Sequence, residues 1–191
     1  MRIILILLLI ISYKVSSGTS ADSTRSIWKR IMPNSINMQF AGNIGMFSAG
    51  VNYISLNKRW EGNLSYGFVP AKYSDNGIHS TTVKVRYIPL MKSYNPSTEV
   101  KWVNVGMWFN YAYGEKYFYK LPVYYDAGYY YFPTAANLGL TIGGEFRHDK
   151  WAIYYDFGTT DKRLINFVKS SSAIDFHEIW NISFGLSYYL K

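Results

Sequence analysis

The sequence predicts an all-β fold, an antiparallel up-and-down transmembrane β-barrel of about eight strands, preceded by a short amphipathic helix. Apolar and polar residues alternate in several segments, most clearly in Glu178–Leu190. Side chains of a strand point alternately to its two faces, so each segment has one apolar face and one face of mostly small or polar residues. Aromatic residues make up 19% of the chain, although its mean hydropathy is only −0.09. Apolar residues spread singly along strands, with aromatics near the strand ends, are typical of a barrel that faces lipid.

The first twenty residues have the composition of a secretory signal peptide. Arg2 supplies a positive charge, Ile3–Ile11 is apolar without interruption, and small residues follow up to Ser20. The apolar run is shorter than the roughly 18 residues that a membrane-spanning helix requires, so we expect a cleaved signal and not an anchor. The expected order is therefore a signal peptide at 1–20, a periplasmic interfacial helix or linker at 21–34, and an outer-membrane β-barrel at 35–191.

The segment Ser23–Met32 has apolar residues at helical spacing opposite basic ones, and Pro33 ends it. This pattern predicts a short helix with a basic face that lies at the periplasmic membrane interface. A linker without stable helix is the alternative, because so short a piece gains little from helix formation alone.

The barrel itself begins with a change of parity between two short alternating runs. Apolar residues are even-numbered from Ile36 to Phe40 and odd-numbered from Phe47 to Tyr53. A slip of one residue reverses every side chain, so a turn at Gly42–Gly45 or a bulge must separate the runs. Two strands give a total of eight, an even number as single-chain barrels require, whereas one bulged strand gives seven. We therefore expect eight, the other six lying in Trp60–Phe68, Ser80–Tyr87, Val103–Tyr111, Ala136–Phe146, Trp151–Phe157 and Glu178–Leu190.

The connections between these strands alternate in length. Asn57–Arg59 and His148–Lys150 are tight turns, and Met91–Ser97 is a modest loop. Barrels of the outer membrane have short periplasmic turns and longer external loops, which predicts that both termini are periplasmic. The longer connections, expected to be external, are Ala71–Ile78, Tyr113–Thr134 and Thr159–His177.

These features resemble the small outer-membrane β-barrel proteins of Gram-negative bacteria. Two stretches, Gln39–Gly45 (QFAGNIG) and Gly158–Asp161 (GTTD), are similar to poorly characterised outer-membrane proteins of Bacteroidetes. In this class the last strand usually ends on an aromatic residue, whereas Leu190 stands at that place here. The resemblance implies an integral protein of the outer membrane.

The charge of the chain bears on its partners. The formal net charge is +8, but no basic run or recognition-helix pattern is present, so we expect no nucleic-acid partner. Outer-membrane lipid and the phosphate-rich headgroups of lipopolysaccharide fit a basic exported protein. Another outer-membrane protein is a further expected partner, with the chain in a structural, adhesion or membrane-complex role.

Six charged residues fall on the face of their strands that we expect to point inward. An eight-stranded barrel is filled by its own side chains and leaves no aqueous channel. Three acids and three bases balance, which predicts a buried ion-pair network, with a proton relay or ion path as the alternative. The residues of this predicted lumen network are Glu61, Lys84, Arg86, Glu145, Arg147 and Asp156.

No catalytic residue is assigned with all its partners, and we expect no enzyme activity. The lipid A deacylases, which are also small barrels, use a His and a Ser two residues apart on an outward face, with an acid on a neighbouring strand. His79 and Thr81 resemble that pair, and Asp75 is the acid that remains, because Ser80 and Glu61 face inward. A lipid A-modifying hydrolase with a site near His79 is therefore the alternative function.

Other binding chemistry is sparse in the sequence. Three scattered His without Cys predict no metal site, and nothing indicates a cofactor. The connection Tyr111–Phe132 is rich in tyrosine, which is favoured both in binding surfaces and at membrane interfaces. It is a candidate external binding surface, with packing in an interfacial aromatic belt as the alternative, and its candidate residues are Tyr124, Tyr125, Tyr129, Tyr130 and Tyr131.

Overall fold

The computed structural model describes residues 31–74, 77–114, 117, 135–169 and 176–190. Within these residues eight antiparallel strands form one closed barrel, so the predicted up-and-down barrel of eight strands is confirmed. The strands are β1 (Ser35–Ala41), β2 (Phe47–Ile54), β3 (Trp60–Val69), β4 (Ile78–Asn95), β5 (Thr98–Tyr113), β6 (Ala136–His148), β7 (Trp151–Thr160) and β8 (Asn181–Tyr189).

Each strand pairs with the next one along the chain, and β1 closes the barrel on β8. Ile36 lies opposite Val51 on β2 and opposite Tyr188 on β8. The division of 36–54 into two strands is confirmed, and the Ala41 amide donates to the Met46 carbonyl at 2.8 Å across the turn between them. Gly45, with φ of 145°, adopts a backbone conformation there that is open chiefly to glycine.

The two ends of the barrel differ. We call the end that carries the connections 55–59, 96–97 and 149–150 the turn end, and the opposite end the loop end. The start of β1 and the end of β8 both lie at the turn end, where the Leu190 amide donates to the Asn34 carbonyl at 2.9 Å.

The prediction of a loop at Met91–Ser97 is wrong. Strand β4 continues to Asn95 and β5 begins at Thr98, so only two residues connect them. Register shifts between Tyr87 and Leu90, and again between Ser93 and Asn95, interrupt the regular pairing of β4 with β5. Because these bulges break the period-two pattern, the alternation in the sequence ends before the strand does.

The expected loop Thr159–His177 is also wrong in part. Strand β7 runs to Thr160, and a helix, α1 (Asp161–Lys169), follows it directly. The Thr160 hydroxyl accepts a hydrogen bond from the Arg163 amide at 3.3 Å, as a helix-capping residue does. A 3₁₀ turn occupies Phe176–Ile179, so β8 begins at Asn181 and not at Glu178. A second 3₁₀ turn, Ala71–Tyr73, lies in the connection from β3 to β4.

Burial follows the alternation of the strands. In β1 the side chains of Ser35, Asn37 and Gln39 are buried inside the barrel, and the apolar residues between them are exposed on its outer wall. Of the helices within the described residues, none is long and apolar enough to cross a membrane. The predicted signal peptide and all but Ile31 and Met32 of the predicted interfacial helix lie outside the described residues.

Candidate functional site

The centre of the barrel holds a buried lysine between two glutamates. Lys101 Nζ lies 2.9 Å from Glu61 Oε2 and 2.8 Å from Glu145 Oε1. It also donates to the Tyr189 hydroxyl at 3.0 Å, and that hydroxyl donates to Glu145 Oε1 at 2.6 Å. Three strands and the last residue of β8 therefore meet at a single ammonium group.

Arg86 extends this cluster toward the loop end. Its guanidinium lies 2.6 Å from Glu61 Oε1 and 3.5 Å from Asp156 Oδ2. Lys84 Nζ in turn lies 2.8 Å from the same oxygen of Asp156. The side chains of these groups are at most 5% exposed, so neighbouring charges replace the water that each of them loses. We call the resulting chain of six charges the lumen network, and its order is Lys84, Asp156, Arg86, Glu61, Lys101 and Glu145.

The structure thus brings together five of the six residues expected in this network, and Lys101 stands where Arg147 was expected. Arg147 instead lies 3.6 Å from Glu99 Oε2 and 4.7 Å from the centre of the Tyr189 ring. Glu99 also pairs with the exposed Lys58 at 3.2 Å, so this second cluster reaches the turn end.

Sequence reasoning missed Lys101 and Glu99 because of a bulge in β5. The pairing with β6 shifts between Lys101 and Asn104, and inward positions are odd-numbered before the shift and even-numbered after it. The alternation of Val103–Tyr111 therefore could not be extended backward. The signal that does exist is the short separate alternation of Glu99 and Lys101 with the apolar Val100.

Neutral polar side chains occupy the neighbouring part of the lumen. Asn63 Nδ2 donates to Asn37 Oδ1 at 2.9 Å and to Asn52 Oδ1 at 2.7 Å. Asn37 Nδ2 donates to the Tyr154 hydroxyl at 3.0 Å, and the Tyr154 ring lies 5.5 Å from the Arg86 guanidinium. These contacts join the amide layer of β1 to β3 with the lumen network, which gives the interior a fixed arrangement.

Two buried apolar side chains lie between the lumen network and the loop end. Ile44, in the turn between β1 and β2, is 4% exposed, and its carbonyl accepts a hydrogen bond from Ser80 at 2.8 Å. Trp108 is 3% exposed and packs on Gly139, where a Cβ atom would lie 2.2 Å from the indole ring. The space left between Trp108 and Lys84 measures about 10 Å³. This is about the volume that one water needs.

A second cavity, of about 480 Å³, lies at the loop end, and its mainly apolar lining includes the side-chain amides of Asn43, Asn110, Asn137 and Asn181. Lys162 of α1 donates to Asn137 Oδ1 at 3.0 Å, and Arg163 donates to Asn181 Oδ1 at 2.8 Å. Asn181 donates to Asn43 Oδ1. These contacts hold the start of α1 at the rim of the barrel. They also occupy hydrogen-bonding groups of three asparagines that line the cavity.

The candidate hydrolase residues do not assemble into a triad within the described residues. His79 Nδ1 and the Tyr66 hydroxyl are hydrogen-bonded at 2.5 Å, and the Tyr113 hydroxyl donates to Thr81 Oγ1 at 3.2 Å. His79 and Thr81 are thus each bonded to a tyrosine of a neighbouring strand. Ser80 points inward, and Asp75 lies outside the described residues. The acid that would orient the imidazole is therefore not among the described neighbours of His79.

The remaining candidates give no further site in the described part of the chain. There, no group of three or more acidic or histidine residues could hold a metal ion. His148 lies near Thr98 at 3.1 Å at the turn end. The tyrosines proposed as an external binding surface, Tyr124, Tyr125, Tyr129, Tyr130 and Tyr131, all lie outside the described residues.

Comparison with known proteins gave no match among protein-family models, curated proteins or solved structures.

Proposed function

We propose that this chain is an integral outer-membrane β-barrel protein without a channel, which acts as a structural, adhesion or membrane-complex subunit. The observation that carries the proposal is the inverted polarity of the barrel. Large apolar side chains cover the outer wall, with exposures of 69% for Met38, 63% for Met107 and 61% for Phe184, while the charges lie inside. Each Å² of such surface costs about 25 cal/mol in water and nothing comparable in hydrocarbon. The outer wall is therefore suited to lipid.

The aromatic pairs near the turn end support a position in a bilayer. The Trp60 and Tyr87 rings are 5.0 Å apart, and those of Trp151 and Tyr188 are 4.9 Å apart. Tryptophan and tyrosine are favoured at the level of the lipid headgroups, because one part of each ring system is apolar and another is polar. These pairs would mark the periplasmic headgroup layer, with both termini on the periplasmic side.

We propose a barrel without a channel because its lumen is packed with side chains, as described above. The three acids and three bases of the lumen network balance, and Ile44 and Trp108 fill the passage toward the loop end. An eight-stranded barrel has an interior just wide enough for such side chains. A membrane anchor or a subunit of a complex does not need a channel. The barrel supplies a rigid body for such a role.

The basic residues of α1 support lipopolysaccharide as a partner. Lys162, Arg163 and Lys169 lie on this helix at the loop end, which in this orientation is external. Phosphate groups attract such cations. A second outer-membrane protein is the other proposed partner, consistent with the resemblance to small Bacteroidetes barrels.

Two measurements test this proposal. In semi-native electrophoresis the unheated protein should migrate differently from the boiled protein, because a closed hydrogen-bond ladder resists detergent. Recovery of the native chain in the soluble periplasm would contradict the membrane location. Extraction in mild detergent should copurify a stable partner, and isolation as a lone barrel in every condition would argue against a subunit role.

The alternative is a hydrolase of lipid A with its site near His79. The observation in its favour is the outward imidazole at the loop end, bonded to the Tyr66 hydroxyl and two residues from Thr81. Mass spectrometry of lipid A from cells with and without the gene tests acyl, phosphate and headgroup changes together. An unchanged spectrum, or a change that persists in His79→Ala, would eliminate this site.

A further inference from the structure

The outer wall of the barrel contains a groove that the proposed function does not use. It has a volume of about 1060 Å³ and is lined mainly by large apolar side chains. Those that define its course are Met38, Phe40, Trp102, Phe146, Tyr155 and Phe184.

Two rows of outward side chains form the walls of this groove. Cross-strand pairing places Phe40, Phe184, Tyr155 and Gly144 in one row across β1, β8, β7 and β6. A parallel row contains Met38, Leu186, Ile153 and Phe146 and continues to Val100 on β5.

Gly144 contributes no side chain to the first row, and the Tyr155 ring covers it. A Cβ atom there would lie only 3.0 Å from the Tyr155 hydroxyl and 3.1 Å from the Lys101 carbonyl. The bulge of β5 lies opposite Gly144 and turns Trp102 outward, with 55% of the residue exposed. The same bulge therefore places Trp102 in the groove and Lys101 in the lumen.

The groove crosses the barrel wall obliquely from one end to the other. Its first end lies at Phe40 and Phe47, beside the loop-end turn between β1 and β2. Its second end lies at Tyr94 and Thr98, beside the two-residue turn between β4 and β5. From Phe47 on β2 to Tyr94 on β4 the groove crosses seven strands, and their six spacings give a length of about 29 Å. One acyl chain, which spans half of a hydrocarbon core of about 30 Å, fits within that length.

The second end of the groove also carries a cation. Lys92 is exposed, pairs with Val100 of the groove wall, and holds its Nζ 4.9 Å from the centre of the Tyr94 ring. An ammonium group beside exposed tyrosine and tryptophan is suited to a phosphate at the headgroup level. The chemistry of the site is thus apolar along its length and cationic at its turn end.

We propose that this groove binds one acyl chain of an anionic glycerophospholipid, with the phosphate beside Lys92. The inference rests on the proposed membrane location, in which the turn end faces the periplasmic leaflet. The lipid is held as a discrete ligand by the two apolar rows, unlike the lipid around the rest of the outer wall. The positive charge of Lys92 selects a lipid with an anionic headgroup.

Native mass spectrometry of the full chain tests this inference. The protein is inserted into vesicles of equal parts phosphatidylglycerol and phosphatidylcholine, recovered by flotation, and released in mild detergent. We expect one retained phosphatidylglycerol, favoured over phosphatidylcholine about fivefold, as one lysine near a membrane surface provides.

Two outward valines of β5 provide a matched pair of variants. Val100 lines the groove, whereas Val105 is exposed on the same face of the same strand and does not line it. Val100→Trp should lose the retained lipid and Val105→Trp should keep it. Lys92→Glu changes only an exposed residue and should abolish the preference for phosphatidylglycerol while an acyl chain is still retained.

The outcomes separate this inference from the proposed function. A chain that does not float with vesicles would contradict the membrane location itself. A chain that floats but retains no lipid, or retains it equally in Val100→Trp and Val105→Trp, would overturn the groove alone. Equal retention of both phospholipids by the wild-type chain would overturn the anionic headgroup, as would a protein found bound in the groove.

Discussion

Removal of the central lysine of the lumen network should destabilise the barrel strongly. In Lys101→Met the ammonium group is lost, although the aliphatic length of the side chain is kept. Glu61 then keeps only Arg86 as an ionic partner, and Glu145 keeps only the hydroxyl of Tyr189. Because the Lys101 side chain is 4% exposed, water cannot replace it without opening the barrel.

The expected loss of stability follows from the burial of the charges around Lys101. Breaking a buried ion pair by removing one partner costs about 3–5 kcal/mol, because an uncompensated charge remains in the interior. Lys58→Met is the matched control, since Lys58 also pairs with a buried glutamate, Glu99 at 3.2 Å, but its own side chain is 55% exposed. An exposed partner contributes about 0–1 kcal/mol. We therefore expect a difference of at least about 2 kcal/mol between the two variants.

Guanidinium unfolding in detergent micelles, followed by tryptophan fluorescence, measures both free energies of unfolding. A second substitution, Glu145→Gln in the Lys101→Met background, removes the carboxylate that has lost its cation and should recover part of the lost stability. Equal stabilities for Lys101→Met and Lys58→Met would refute the central role of the network, as would a double variant less stable than Lys101→Met.

Three further predictions follow from the packing of the barrel. Gly67→Ala should lower the free energy of unfolding by about 1–3 kcal/mol, because its Cβ would lie 2.0 Å from the Ile44 carbonyl oxygen. Gly62→Ala on the same strand is the control: its Cβ meets nothing within 4 Å, so the variant should be neutral or slightly stabilising in the same unfolding assay. Trp108→Ala should cost about 3–5 kcal/mol, since the ring is 3% exposed, and an unfolding midpoint equal to that of the wild type would argue against this packing. The wild-type protein in a planar bilayer should show no ionic conductance, and reproducible current steps would contradict a closed lumen.

The architecture was predictable because one physical rule acts on every strand. Small and polar residues such as Asn37, Asn63 and Ser183 point inward and most large apolar ones outward, so alternation indicates the strands. The parity change between Phe40 and Phe47 indicated a turn or a bulge, and the even strand number of single-chain barrels favoured the turn that separates β1 from β2. The even strand number then favoured a closed barrel in which β1 meets β8.

The centre of the lumen was harder to predict because it depends on irregularities. The bulge after Lys101 changes which parity points inward, and its signal in the sequence is limited to the short alternation of Glu99 and Lys101 with Val100. Large inward residues depend on distant small ones: Tyr154 lies opposite Gly185, where a Cβ would be 2.2 Å from its ring. Such pairs require knowledge of the register.

Helix α1 was missed for a different reason. Its nine residues lie in a connection whose length and composition resemble those of an external loop. A helix this short is stabilised by its ends and its anchoring, here the Thr160 cap and the contacts of Lys162 and Arg163 with the barrel rim. Those contacts are tertiary, so the sequence pattern alone did not indicate them.

Contact of the outer wall with lipid is the central claim, and spin labels on β5 test it most directly. The chain contains no cysteine, so Val105→Cys, Met107→Cys and Phe109→Cys each give a single labelling site on the outward face. In vesicles, we predict frequent collisions of these labels with oxygen, which dissolves in hydrocarbon, and exclusion of a water-soluble nickel complex. A label at Asn57→Cys in a turn should show the reverse. Nickel access at Met107→Cys equal to that at Asn57→Cys would contradict the account.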